Sequence, residues 1–124
     1  GGRPDFGKTG DRKKPEPVPK GFEYDLWLGP APEAAYAPAR CHVNFRWIYD
    51  YSGGQVTDWG GHHPDCAQWG LGTEHTGPVE IRNAKAAFPP DDLWNTATEF
   101  YFEAVYADGT VMVVSNKEKM GVRW

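Results

Sequence analysis

Hydrophobic and polar positions change rhythm along this chain. Val56, Trp59, His63, Ala67 and Leu71 recur near helical spacing, which predicts a helix from about Gln55 to Leu71. Gly60 and Gly61 each weaken such a helix by about 1 kcal/mol relative to Ala. Pro64 removes a backbone donor, so the helix is expected to kink or restart there. Gly70-Leu71-Gly72 ends it. From Pro78 the period drops to two. Val79 and Ile81 alternate with Glu80 and Arg82; Phe100, Phe102, Ala104 and Tyr106 alternate with Glu99, Tyr101, Glu103 and Val105. That is the pattern of half-buried strands. Phe88 to Asp92 reads as a loop, Asp108-Gly109 as a hairpin turn, Thr110 to Ser115 as the return strand and Val122 to Trp124 as the start of another. The fold class predicted is α+β: an open, mainly antiparallel sheet with a helix packed on one face.

The first half of the chain carries weaker rhythm. Residues 1–20 hold Pro4, Pro15, Pro17 and Pro19 among Lys, Arg, Asp and Glu. Such a stretch buries too little apolar surface to order itself and reads as an extended, Pro-rich arm or linker. Residues 21–124 then form the α+β domain. Tyr24 to Pro32 sets large apolar groups beside Gly29-Pro30 and Ala31-Pro32, which are expected to stop any regular element. Leu26, Trp27 and Leu28 would anchor that loop. Asn44 to Tyr51 is rich in aromatics and runs into Ser52-Gly53-Gly54, a turn or helix-entry signal.

Composition narrows the function classes. At 124 residues and 40% hydrophobic content, one domain with a real core is the natural expectation. Six Trp, six Tyr and six Phe are enough for aromatic faces that also pack on a neighbour. A net charge of −4 without a basic stripe offers no footprint for nucleic acid, and no apolar run reaches membrane-spanning length. Cys41 and Cys66 could pair, but two free thiols in a reducing setting is the plainer reading. A cytoplasmic location is favoured, with export left open. Gly1 and Trp124 both look like cut ends, so a longer parent protein is expected.

Chemistry concentrates in Asp58-Trp59-Gly60-Gly61-His62-His63-Pro64-Asp65-Cys66. On an unbroken helix Asp58 and His62, four apart, share one face. An imidazole moves a proton at neutral pH, and a carboxylate beside it orients the ring and stabilises its charged form. Such a pair is also common as a surface contact worth a few tenths of a kcal/mol. What lifts it above that is the retention of glycines and a proline around it against local helix stability. Asp58, His62, His63, Asp65 and Cys66 are all capable metal ligands, but His62 and His63 point about 100° apart on a helix, and no His-Glu-x-x-His is present. No Gly-x-Ser-x-Gly elbow, Gly-x-Gly-x-x-Gly turn or Walker loop occurs either. A general-base role for His62 fits best.

Gly53-Gly54-Gln55-Val56-Thr57-Asp58-Trp59-Gly60-Gly61-His62-His63-Pro64-Asp65, followed by Trp69-Gly70-Leu71-Gly72, resembles the hallmark of the glucose–fructose oxidoreductase / inositol dehydrogenase / MocA family. Tyr24 to Pro32 and Asn44 to Trp47 look like a bacterial branch of it. The likeness runs from about Gly21 onward. It implies a nucleotide-binding Rossmann domain ahead of this region, with the dinucleotide loop and a catalytic Lys, and a second α+β domain whose open sheet makes the subunit interface.

By that resemblance Asp58 and His62 are the catalytic pair over the nicotinamide, and Asp65 is a structural carboxylate. Arg46, Tyr51 and His63 contact substrate. The cofactor is NAD or NADP, bound mainly by the other domain, and the substrate is a sugar, polyol or related hydroxylated compound. A homo-oligomer forms through the sheet, and this piece alone is expected to be inactive. The alternatives are an NAD-dependent glycoside hydrolase of the same family, a metal-dependent hydrolase on His62, His63 and Asp65, and a non-catalytic pairing or carbohydrate-binding module.

Overall fold

Three antiparallel strands and a broken helical run make up the second half of the molecule, and a loop-rich aromatic core makes up the first. The computed structural model describes residues 12–116. The expected strand at Val122 to Trp124 and the first residues of the arm lie outside them.

The element order is α1 (Tyr24–Leu28), 3-10 turns at Pro38–Arg40 and His42–Trp47, α2 (Gln55–Asp58), a 3-10 turn at Trp59–Gly61, α3 (His63–Gly70), β1 (Glu80–Ala87), β2 (Glu99–Val105) and β3 (Val111–Ser115). The sheet order is β1-β2-β3, antiparallel throughout. The register pairs Ile81 with Ala104 and Ala104 with Met112, which puts all three on one face. An extra residue between Arg82 and Lys85 bulges β1, with Asn83 at a φ of 54°. The β2–β3 hairpin closes where expected: Gly109 takes a φ of 87°, and Asp108 Oδ1 accepts the Thr110 N–H at 2.9 Å.

The core sits where the sequence rhythm is weakest. Tyr24, Tyr36 and Cys41 are buried together, with Phe22, Trp27 and Leu28 packed against them. Tyr24 stacks on Trp27 and meets Tyr36 edge-on at 5.3 Å between ring centres. Burial raises the Tyr24 hydroxyl to about 12 and pushes the Cys41 thiol up. Both cysteines are free, Cys41 buried and Cys66 exposed.

One expectation is corrected. Tyr24 to Leu28 is helical rather than irregular: Asp25 lies in its first turn, and Gly29, at a φ of 53°, ends it before Pro30. The breakers therefore fix the end of the helix and do not prevent it. The restart expected near Pro64 is found: the run from Gln55 to Gly70 is in three short pieces, and α3 begins at His63 after a break at His62. Pro64 sits in the first turn of α3, where its missing N–H costs nothing.

The loop between β1 and β2 binds the two halves together. Tyr49 N–H donates to Asn95 Oδ1 at 2.8 Å, Thr96 N–H to the Trp47 carbonyl at 3.2 Å, and Trp94 Nε1–H to the Ala39 carbonyl at 3.0 Å. Lys13, from the arm, places Nζ 2.6 Å from Asp92 Oδ1 and 4.2 Å from the centre of the Trp94 ring. The arm also pairs with the domain through Glu16 N–H to the Tyr36 carbonyl and Ala39 N–H to the Arg12 carbonyl.

Candidate functional site

The helical run carries the candidate chemistry, and the sheet holds it at both ends. Asn116 Nδ2 donates to Gln55 Oε1 at 3.0 Å, and Tyr106 Oη donates to Gln68 Oε1. Between these attachments a cavity of about 260 Å³ opens, lined from the helical side by Val56, Trp59 and His63 and from the sheet by Phe100 and Val114. No residue of α2 or α3 is buried, so the helical layer covers the sheet without sealing it.

Asp58 ends α2 and is held from outside the helical run. Arg46, in the 3-10 turn His42–Trp47, places Nε 3.1 Å from Asp58 Oδ1. Arg46 also donates Nη1–H to the Val43 carbonyl at 3.1 Å and lies 5.6 Å over the Phe45 ring. The guanidinium is thereby fixed at three points. Among the described residues no hydrogen bond joins Asp58 to His62. The intervening turn explains why. His62 N–H bonds the Trp59 carbonyl at 3.0 Å, an i to i+3 contact. Four residues of α-helix return a side chain to within about 40° of its start, whereas four at three per turn leave it about 120° away. The expectation that Asp58 and His62 share one unbroken helix face is corrected accordingly. Gly60-Gly61 lets the backbone tighten, and Pro64 has no N–H to continue an i to i−4 ladder.

Trp59 organises the two imidazoles. His63 stacks on it at 5.2 Å with planes 25° apart, and His62 meets it edge-on at 5.8 Å. His62 is solvent-exposed at the N-cap of α3; His63 also borders the cavity over the sheet. Tyr51 lies elsewhere. Its hydroxyl accepts from Arg40 Nη1 at 3.2 Å, its ring meets Trp27 edge-on at 5.1 Å, and it lines a groove of about 570 Å³ with Trp27, Phe45 and Asp50. Of the five candidate residues, then, Arg46 and Asp58 are joined, His62 and His63 share one indole, and Tyr51 stands apart. The Arg46–Asp58 pair carried no sequence signal, because its members stand twelve positions apart on different elements joined by a loop. Among the described residues no three His, Cys, Asp or Glu side chains converge as a metal would require.

A cofactor with a dinucleotide's phosphates needs a strand, a glycine-rich turn and a helix N-terminus. The described sheet is antiparallel and follows the helices, so the residues here do not fit that part of the group. Among the described residues no helix is long and apolar enough to cross a membrane.

The family model described as "oxidoreductase family, C-terminal alpha/beta domain" matches residues 5–122. No curated protein and no solved structure matches the chain. With nearly the whole chain matched, and with a three-stranded open antiparallel sheet beneath a helical layer, the chain belongs to the glucose–fructose oxidoreductase / inositol dehydrogenase / MocA oxidoreductase family, as its C-terminal α/β domain.

Proposed function

We infer that this domain is the substrate-binding part of an NAD(P)-dependent oxidoreductase acting on a sugar, polyol or related hydroxylated compound. NAD or NADP, held by another domain, supplies the hydride acceptor when bound. This chain's own part is the proton. In the reading we favour, exposed His62 accepts the proton of the substrate hydroxyl. Asp58, steadied through Oδ1 by Arg46, keeps Oδ2 for the substrate. The observation that carries the reading is the family match across a segment in which a carboxylate and an imidazole, in the family's own order, flank a helix break.

The same reading makes the open sheet the self-association face and leaves the isolated domain inactive. Replacing His62 by Ala in the protein that carries the cofactor domain should cut turnover about 10²- to 10⁴-fold and leave dinucleotide binding unchanged. Turnover equal to wild type would remove His62 from the mechanism.

A further inference from the structure

We propose that the groove between α1 and the segment following the His42–Trp47 turn is a subsite for a hydroxylated ring, a pyranose or a cyclic polyol, separate from the segment that carries Asp58 and His62. About 570 Å³ is within the range of small-molecule sites. Its walls are Trp27, Leu28, Pro30, Phe45 and Tyr51, and Asp50 is the charged group on its rim. The rings are fixed before anything binds. Trp27 is stacked on the buried Tyr24 with planes 14° apart, and Tyr51 is held edge-on to Trp27 and from behind by Arg40. A preformed wall costs little to order on binding.

The chemistry of the groove selects among ligands. Asp50 is exposed, and among the described residues no cation pairs with it. A wholly apolar ligand would cover that carboxylate without giving it a partner, which is costly. An anion would be repelled by it. A quaternary ammonium would find the carboxylate but no enclosing set of rings. The Trp27 face turned toward Tyr24 is already occupied, so the rings form no open cage for an ammonium. A saturated ring bearing hydroxyls satisfies both features: its C–H faces lie on aromatic and proline carbon, and adjacent hydroxyls donate to the two carboxylate oxygens. Phe45, in the groove wall, is followed directly by Arg46, which reaches Asp58, so the groove is tied to the candidate chemistry through the backbone of one turn. The term subsite rests on the oxidoreductase reading, whereas the binding itself does not, because it is measured without cofactor.

The test is a ligand-observed NMR titration of the 124-residue chain with methyl glucopyranoside, open-chain sorbitol and choline. Saturable binding of the glucoside is expected, with sorbitol at least several-fold weaker and choline absent. Asp50→Asn changes only an exposed carboxylate and should weaken the glucoside about tenfold. Trp27→Phe should weaken it further, with the fold checked by circular dichroism. No saturable glucoside binding would overturn the proposal, as would preference for choline, equal affinity for sorbitol, or an unaltered Asp50→Asn. Failure here with a catalytic defect in His62→Ala would leave the oxidoreductase reading standing; the converse would leave the subsite standing.

Discussion

Arg46 Nε lies 3.1 Å from Asp58 Oδ1, and this ion pair is what joins the aromatic first half of the chain to the start of the candidate site. Both side chains are about one-third exposed, at 32% and 29%, so the pair adds little to stability. Its effect should appear in positioning. Arg46→Ala, in the protein carrying the cofactor domain, should lower kcat about 10- to 100-fold with a smaller change in KM, and Arg46→Lys should recover part of the loss. A rise in KM alone would make Arg46 a direct substrate contact instead.

Gly54 takes a φ of 65° immediately before α2, and a Cβ built there would fall 2.6 Å from Thr96 Cβ. Thr96 is buried at 4% exposure and cannot move aside freely. Gly54→Ala combines a left-handed backbone with overpacking and should cost about 1–3 kcal/mol, read as a lower midpoint in urea.

The Lys13–Asp92 contact gives the arm a pH-dependent attachment. The hydrogen bond from Lys13 is the main cause that holds the Asp92 carboxyl below its usual range. A depressed carboxylate contributes stability that is present above its unfolded value, about 3.9, and is lost as pH falls through the lower folded value. Lys13→Met should therefore be less stable than wild type at pH 6, by under about 1 kcal/mol because both groups are partly exposed. The gap should close near pH 2. Denaturation midpoints of the two proteins across that window provide the check.

β1 is exposed along its whole length, with Ile81 at 54%. An exposed edge strand bearing apolar side chains invites pairing, here along the stretch before its bulge. Ile81→Lys should lower the mass seen by light scattering at high concentration and leave the urea midpoint within about 0.5 kcal/mol. An unchanged mass would move the association face elsewhere.

The strands and their hairpin were legible because alternation and Asp108-Gly109 are local signals, and β2 buries Phe100 and Ala104 as the alternation requires; the half-burial expected of Val79 and Ile81 is not met, because β1 is an edge strand exposed at every residue. The core was not legible. Tyr24, on a helix of barely one turn, meets Tyr36 and Cys41 from irregular backbone, and no period announces burial in either. The candidate site was half legible. Residue types and order pointed to Asp58 and His62, but the helical spacing that placed them on one face assumed a winding that Gly60-Gly61 and Pro64 do not support. Lys13 and Asp92, which are 79 positions apart, had no sequence relationship to read.

Asn116 donates to Gln55 and to the Thr98 carbonyl and accepts the Phe100 N–H, while Tyr106 grips Gln68 at the far end of the same helical run. The pieces bearing the two histidines are too short to persist alone. Their shape is consequently borrowed from the strands below them, and damage at the β2–β3 hairpin would be felt at imidazoles it never touches.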